Sequence, residues 1–474
     1  MTDNKIPVAS AEVPKAPTWA EPPTQGSHAP ITHGSGGADG AAHASCRFCG
    51  TSLEVTFADL GVSPVSNAFL PPDALARMER FFPLHARVCS SCFLVQVDDV
   101  ASAEHHFHDN YAYFSSFSTF FVRHAELYVE KMMAEQGIGP GSRVIEIASN
   151  DGYLLQHFVR RGVPCLGIEP SANVAREAEK KGVKSWVKFF GVQTAKELCS
   201  KGWAADLLLG NNVVAHVPDV NDFVEGLRIA LKTDGLITLE FPHLLRLIEE
   251  NQFDTIYHEH FSYFSLHTLS RIFTKHELTI FDVEELPTHG GSLRIYARHA
   301  NSAKLQSVGG SAQVGASGTS ADATGVETDR YKKVLRDEVD AGLFTNKTYQ
   351  AFADRILTVK YDLLEFLIGE KRKGKRVVAY GAPAKGNTLL NYCGIRPDLI
   401  PFTVDRNTFK QGLYLPGTRI PIKAPEAIHQ TRPDYVIVLP WNIKEEIIQQ
   451  MADIKTWGGK FVTAIPKLQV WEAP

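Results

Sequence analysis

The sequence predicts an α/β protein in three parts. A small N-terminal Cys₄ zinc domain precedes a Rossmann-like doubly wound core, and a second Rossmann-like α/β domain closes the chain. Three observations predict this. Two Cys-x-x-Cys pairs, Cys46/Cys49 and Cys89/Cys92, open the region of globular composition. From residue 142 short apolar strands alternate with helix-length segments, the pattern of a parallel sheet. After a long amphipathic stretch the alternation restarts near residue 376. A chain of 474 residues has room for two or three such domains.

Each Cys-x-x-Cys turn can present two thiolates to one edge of a metal. Two turns about 40 residues apart make the tetrahedral set that structural zinc favours. A redox pair or two plain turns are the other readings. Cys165, Cys199 and Cys393 are scattered through apolar stretches. A net charge of -4 argues against a nucleic-acid partner. No run of about 18 apolar residues is present, so no membrane span is expected. The N-terminus lacks a basic segment followed by an apolar one, and free cysteines fit a reducing compartment. The expected location is cytoplasmic.

Residues 1–44 are rich in Pro, Ala, Gly, Ser and Thr and read as a disordered arm. Residues 45–110 form the expected zinc domain, with strand-like runs LEVTFADLG and FLVQVDD. A helix is predicted over 117–136, with Phe117, Phe121, His124, Leu127 and Met132 near one face. The core, 111–300, has predicted strands at 143–148, 163–169, 205–210 and 236–241. Helices are expected at 151–161, from an N-cap at Ser171 to Gly182, at 219–232 and at 266–276. Strands at 278–284 and 292–298 follow each other without a long helix, which predicts an antiparallel edge. Residues 301–327 read as a flexible surface insertion and 328–374 as a helical linker. Within that linker Phe352, Ile356, Val359, Leu363 and Phe366 repeat at helical spacing over 346–372. The last domain, 375–474, has a strand at 376–380, a helix at 388–393 and strands near 400–404, 434–439 and 460–464.

Chemistry is expected where strands turn into helices. Glu146-Ile-Ala-Ser-Asn-Asp-Gly152 lies at the first such turn, so Glu146, Ala148, Asn150 and Gly152 are candidate cofactor contacts. Glu169 closes the next strand, where a carboxylate can accept hydrogen bonds from ribose hydroxyls. The G-x-G-x-x-G run of a dinucleotide site is absent. The loop suits a nucleoside without pyrophosphate, such as S-adenosylmethionine, or is an ordinary turn with solvated acids. Asn212, after the next core strand, would face the same crevice.

Tyr257-His258-Glu259-His260 concentrates acid–base groups. Histidine titrates near neutrality, a neighbouring carboxylate can orient it, and a tyrosine can donate to an oxyanion. His216 follows a core strand, and Tyr111 sits at a domain junction. The tetrapeptide lacks the i, i+4 pairing of a zinc-protease helix. Gly381 to Asn387, GAPAKGN, is a second strand-to-helix turn. Backbone N–H groups and Lys385 can attract phosphate there, and Asp405 ends the following strand, the place for a ribose or base contact.

In order, the cysteine pairs, EIASNDGYLL, GIEPSANVA, YHEHFSYFS, HGGSLRIY and YGAPAKGNTLLNY resemble the S-adenosylmethionine-dependent sugar C-methyltransferases, over about residues 45–470. The resemblance implies a zinc domain, a class I methyltransferase core and a C-terminal domain that helps hold a nucleotide. It implies a nucleotide-linked ketodeoxysugar, such as a dTDP-sugar, as substrate. His260 would remove the proton α to the ketone, with Tyr257, Glu259, His216 and Tyr111 around the sugar. Glu146 and Glu169 would contact the cofactor. Gly291, Ser292, Arg294, Lys385 and Asn387 would contact the nucleotide-sugar. The long N-terminal arm and the 301–327 insertion depart from the family's layout. Nothing in the sequence decides the oligomeric state, and a monomer is compatible with it.

Overall fold

The computed structural model describes residues 44–98, 100, 114–306 and 326–474. Tyr111 and most of the two low-complexity segments lie outside the described residues. The zinc module is an antiparallel meander of β1 (Val55–Ser63), β2 (Phe82–Val88) and β3 (Val95–Val97). Along β2 the buried residues Leu84, Ala86 and Val88 alternate with more exposed ones, as one covered sheet face requires.

The core sheet contains β4 (Val144–Ile147), β5 (Cys165–Ile168), β6 (Ser185–Trp186), β7 (Ala205–Asn211) and β8 (Leu231–Pro242), all parallel to one another. A two-residue β9 (Ser262–Tyr263) belongs to another sheet. Next come β10 (Leu278–Leu286) and β11 (Ser292–His299), which add an antiparallel hairpin beside β8. The order is β10-β11-β8-β7-β4-β5-β6. Strand β4 is buried on both faces, which explains its unbroken apolar run with Glu146 as the single polar residue.

Three local expectations shift. The predicted helix at 151–161 is regular only over Leu155–Arg160, because Asn150 (φ 51°) and Gly152 (φ 74°) take left-handed backbone ahead of it. The helix Thr119–Gln136, capped by Ser118, buries Ala125, Tyr128, Val129 and Met132, so of the predicted face only Met132 is buried. Phe117 lies in a separate turn before it, and Phe117, Phe120 and Leu127 are exposed. Ser171 stands at its helix N-cap without a side-chain cap bond; its N–H donates to Glu169 instead.

The linker holds helices Asp329–Asp340 and Asn346–Arg372. The long helix buries Tyr349, Phe352, Ile356, Val359, Leu363 and Leu367 along one stripe. Phe352 stacks on Phe57 of β1, ring centroids 4.6 Å apart. The C-terminal sheet comprises β12 (Val377–Tyr380), β13 (Thr403–Val404), β14 (Ile422–Lys423), β15 (Tyr435–Val438), β16 (Lys460–Thr463) and β17 (Gln469–Glu472). Its order is β14-β13-β12-β15-β16-β17, parallel except for β17.

Two features position the site. In each α/β sheet the first strand in sequence, β4 or β12, has later strands on both sides, so a crevice opens at its carboxyl end. Both crevices open into one cavity of about 840 Å³. In addition, β9 pairs with β3, so the strand just after the Tyr257–His260 segment completes the zinc module's four-stranded sheet.

Candidate active site and zinc centre

The four knuckle cysteines converge, with all their sulfurs within 4.8 Å of one another. The Cys46–Cys92 and Cys49–Cys89 sulfurs are 3.5 Å apart, and Cys49–Cys92 3.6 Å. A tetrahedron with Zn–S of about 2.3 Å has edges of about 3.8 Å, so the set fits zinc. Gln96 donates to the Cys46 sulfur at 3.3 Å, supporting a ligand from outside the set. Four thiolates close the coordination shell, so the metal's role is structural.

On the core side, the cavity is lined by Ala148, Asn150, Glu169 and Asn212. The Glu169 carboxylate accepts from the Asn150 N–H at 3.0 Å and the Ser171 N–H at 2.9 Å. Burial nevertheless pushes its pKa up to about 7. Ala148, Asn150 and Asn212 all have positive φ (53°, 51° and 53°), which folds the strand ends into tight turns at the crevice. Tyr153, Phe190 and Phe223 give this side an aromatic wall. The donor set and wall fit an adenosine-bearing ligand.

Glu146 and Gly152 do not line the cavity. Glu146 is buried beneath the loop with Oε2 lacking a hydrogen-bond partner, and burial, then Asp151 and Glu169, raise its pKa well above the carboxylate range. Gly152 serves packing: a Cβ there would stand 3.0 Å from Val183 and 3.1 Å from Ala178.

The Tyr257–His260 segment crosses between the crevices. Tyr257, Glu259, His260 and His216 all line the cavity. Nδ1 of His260 lies 2.9 Å from the Thr255 carbonyl oxygen, an obligate acceptor, so Nδ1 carries the proton. Nε2 therefore holds the lone pair, and the Tyr257 hydroxyl donates to it at 2.7 Å. The rings of His260 and His216 are 4.6 Å apart. Burial, then His216, His289 and Lys385, hold the His260 pKa well below the usual histidine value. The imidazole is neutral and basic in form. Glu259 accepts both of its hydrogen bonds from the Asn67 amide, at 2.7 and 2.9 Å, and burial raises its pKa to about 7. His258 turns the other way, to the Pro83 carbonyl at 3.0 Å.

On the C-terminal side, Lys385 and Asp405 line the cavity. Lys385 donates to Asn442 at 2.8 Å and lies over the Trp441 ring; burial lowers its pKa to about 8. The Asp405 carboxylate accepts from the N–H groups of Ala382 (2.7 Å) and Asn407 (2.8 Å), so it holds the turn rather than offering two free oxygens.

The remaining expected contacts do not line the cavity. Asn387 is buried and donates to the Ser66 carbonyl. Gly291 makes room for the Arg246 side chain, and the Ser292 hydroxyl donates to the Thr288 carbonyl. Arg294 is buried against Glu240 at 2.7 Å and Glu284 at 3.2 Å, over the Tyr128 ring.

Sequence reasoning missed residues that do line the cavity. His289, two residues before Gly291, stacks on Phe121, and its Nε2 accepts a hydrogen bond from the Asn212 side-chain amide at 3.0 Å. Its φ of 55° is unusual for a non-glycine residue. Asn67 and Lys410 line it as well. The histidine of HGGS was visible as a titratable group flanked by two glycines; Asn67 and Lys410 carried no local signal.

Comparison with known proteins agrees with this geometry. The family described as a zinc binding domain matches residues 46–107, a methyltransferase domain matches 121–283, and a C-methyltransferase C-terminal domain matches 287–466. The chain is 33% identical over 428 residues to C-methyltransferase NovU of Streptomyces niveus, covering 90% of this chain and 97% of that one. It is 31% identical over 98 residues to a ubiquinone biosynthesis O-methyltransferase of Chelativorans sp., 20% of this chain and 39% of that one. Among solved structures, magnesium protoporphyrin IX methyltransferase from Synechocystis PCC 6803 aligns at 14% identity and a TM-score of 0.29, covering 37% of this chain and 78% of that one. With zinc knuckles, a methyltransferase core and a C-terminal α/β domain in one chain, and near full-length similarity to NovU, the protein belongs to the S-adenosylmethionine-dependent C-methyltransferases.

Proposed function

We propose that the enzyme methylates the carbon α to the ketone of a nucleotide-linked sugar, with a dTDP-ketodeoxysugar as the favoured substrate and His260 as the base. The observation that carries this reading is the neutral His260, its lone-pair nitrogen bonded to Tyr257 inside a cavity with a carboxylate-bearing loop on one wall and lysines on the other. Carbon methylation needs a carbanion equivalent, and a ketone supplies an acidic C–H. His260 Nε2 takes that proton. Tyr257, released from Nε2, donates to the developing enolate oxygen, with His216 beside it. Glu259, held by Asn67, borders the sugar. Glu169, Asn150, Ala148 and Asn212 would hold S-adenosylmethionine, which supplies a sulfonium methyl when bound. Lys385 and Lys410 would face the diphosphate. The cytoplasm is the expected location, since zinc thiolates persist in a reducing compartment.

The test is a panel of nucleotide ketosugars, assayed by mass spectrometry for a carbon-bound methyl. His260→Ala should keep S-adenosylmethionine binding and lose exchange of the α proton with solvent. Retained exchange would remove His260 from the base role. A methyl found on oxygen would overturn the C-methylation of a ketosugar.

A further inference from the structure

We propose that Arg47, inside the first zinc knuckle, is a positioning residue for the catalytic segment: it ties the metal set to the backbone at Phe261 and so holds His260 in the cavity. The proposal rests on the reading of His260 as base.

The contacts run in an unbroken series. Arg47 follows the ligand Cys46, and its own N–H donates to the Gln96 side chain at 3.0 Å. The other end of Gln96 donates to the Cys46 sulfur. The Arg47 guanidinium donates through Nη1 to the Phe261 carbonyl and through Nη2 to the Val97 carbonyl at 3.0 Å. It also lies 5.4 Å from the centre of the Phe261 ring. Phe261 is the residue after His260, and its carbonyl also accepts the Val97 N–H at 3.1 Å.

The reason for a clamp is the weakness of what it supplements. The β3–β9 pairing covers two residue pairs, Val95 with Tyr263 and Gln96 with Ser262. So short a ladder does not by itself fix a neighbouring side chain to a fraction of an ångström. A planar guanidinium bridging two carbonyls of adjacent strands supplies directional bonds that a lysine cannot reproduce. The anchor is itself held. Asn221 donates to the Arg47 carbonyl at 3.0 Å, Thr268 to the Cys92 carbonyl at 3.0 Å, and Arg271 to the Ser91 carbonyl at 2.9 Å. The knuckle is thus fastened to two core helices, Val220–Ala230 and Leu266–Lys275, and Arg47 transmits that fastening to the catalytic segment.

The experiment uses Arg47→Ala and Arg47→Lys in the full chain. Zinc content and S-adenosylmethionine affinity are expected to stay at wild-type levels. Amide hydrogen exchange should quicken roughly tenfold or more over 257–263 while β4, β5 and β7 stay protected. On a competent ketosugar, kcat should fall about 10- to 100-fold with KM within about twofold. Arg47→Lys should recover little of this, and millimolar guanidinium should restore part of kcat in Arg47→Ala alone. Unchanged exchange and kcat would overturn the proposal, and so would loss of zinc in step with activity, which would make Arg47 a folding residue of the knuckle. Quickened exchange with zinc retained, beside retained α-proton exchange in His260→Ala, would sink the base assignment and leave the clamp standing.

Discussion

Two strand-to-helix turns of the same topological kind line the cavity, and they are chemically opposite. The turn after β4 is built on carboxylates: Glu146, Asp151 and Glu169 are all nearly solvent-free, and two of them have raised pKa values. The turn after β12 is built on cations: Lys385 and Lys410 are both lowered by burial, and the nearby carboxylate Asp405 is spent on backbone N–H groups. Of the three carboxylates only Glu169 reaches the cavity, whereas both lysines line it, so the two walls differ in charge. The fold supplies the crevice twice, and side-chain charge decides what each can hold. The segment that carries His260 leads into β9, which pairs with β3 of the zinc module's sheet.

The largest expected effect that breaks this contrast is on the acidic wall. Glu169→Gln keeps the shape but sets an amide against two backbone donors, so S-adenosylmethionine affinity should drop about 10- to 100-fold, with nucleoside diphosphate binding unchanged. Titration calorimetry with each ligand checks both halves, and equal losses would show that the turns are not independent. Next is the cationic wall. Lys385→Met should weaken nucleoside diphosphate binding about tenfold, flatten its salt dependence and spare S-adenosylmethionine. The smallest effect sharpens the contrast in backbone terms. Ala148 has a φ of 53°, whereas the corresponding turn after β12 uses Gly381 at 91°. Ala148→Gly should relieve that strain and raise unfolding stability by about 0.5–1 kcal/mol in a denaturant titration.

Much of this was legible in the sequence because it is carried by local patterns. Paired cysteines at turn spacing, acids at the ends of apolar strands and the Tyr257–His260 run are all short-range patterns; the cysteines converge, and Glu169, Tyr257, Glu259 and His260 line one cavity. The stripe from Phe352 to Leu363 marks a buried helix face. Two differences have causes outside local sequence. Arg294 and Asn387 stand in motifs that read as binding motifs, yet each is consumed by a partner far along the chain, Glu240 and Ser66. The face of the Thr119–Gln136 helix was misjudged because Phe117 falls in the turn before it and Leu127 turns to solvent, while Tyr128 packs inward.

By itself the sequence determined the three-part order, the metal ligands and the two strand-to-helix turns, and it singled out the Tyr257–His260 run, since each depends on residue type and short spacing. Only the tertiary structure decided which side chains are free to meet a ligand. It buried Glu146, set His289, Asn67 and Lys410 into the cavity, and joined β9 to β3 so that Arg47 reaches Phe261 across 214 residues. The physical reason is that a polar group's availability depends on whether its hydrogen bonds are already satisfied, and long-range partners are set by packing rather than by neighbouring residues.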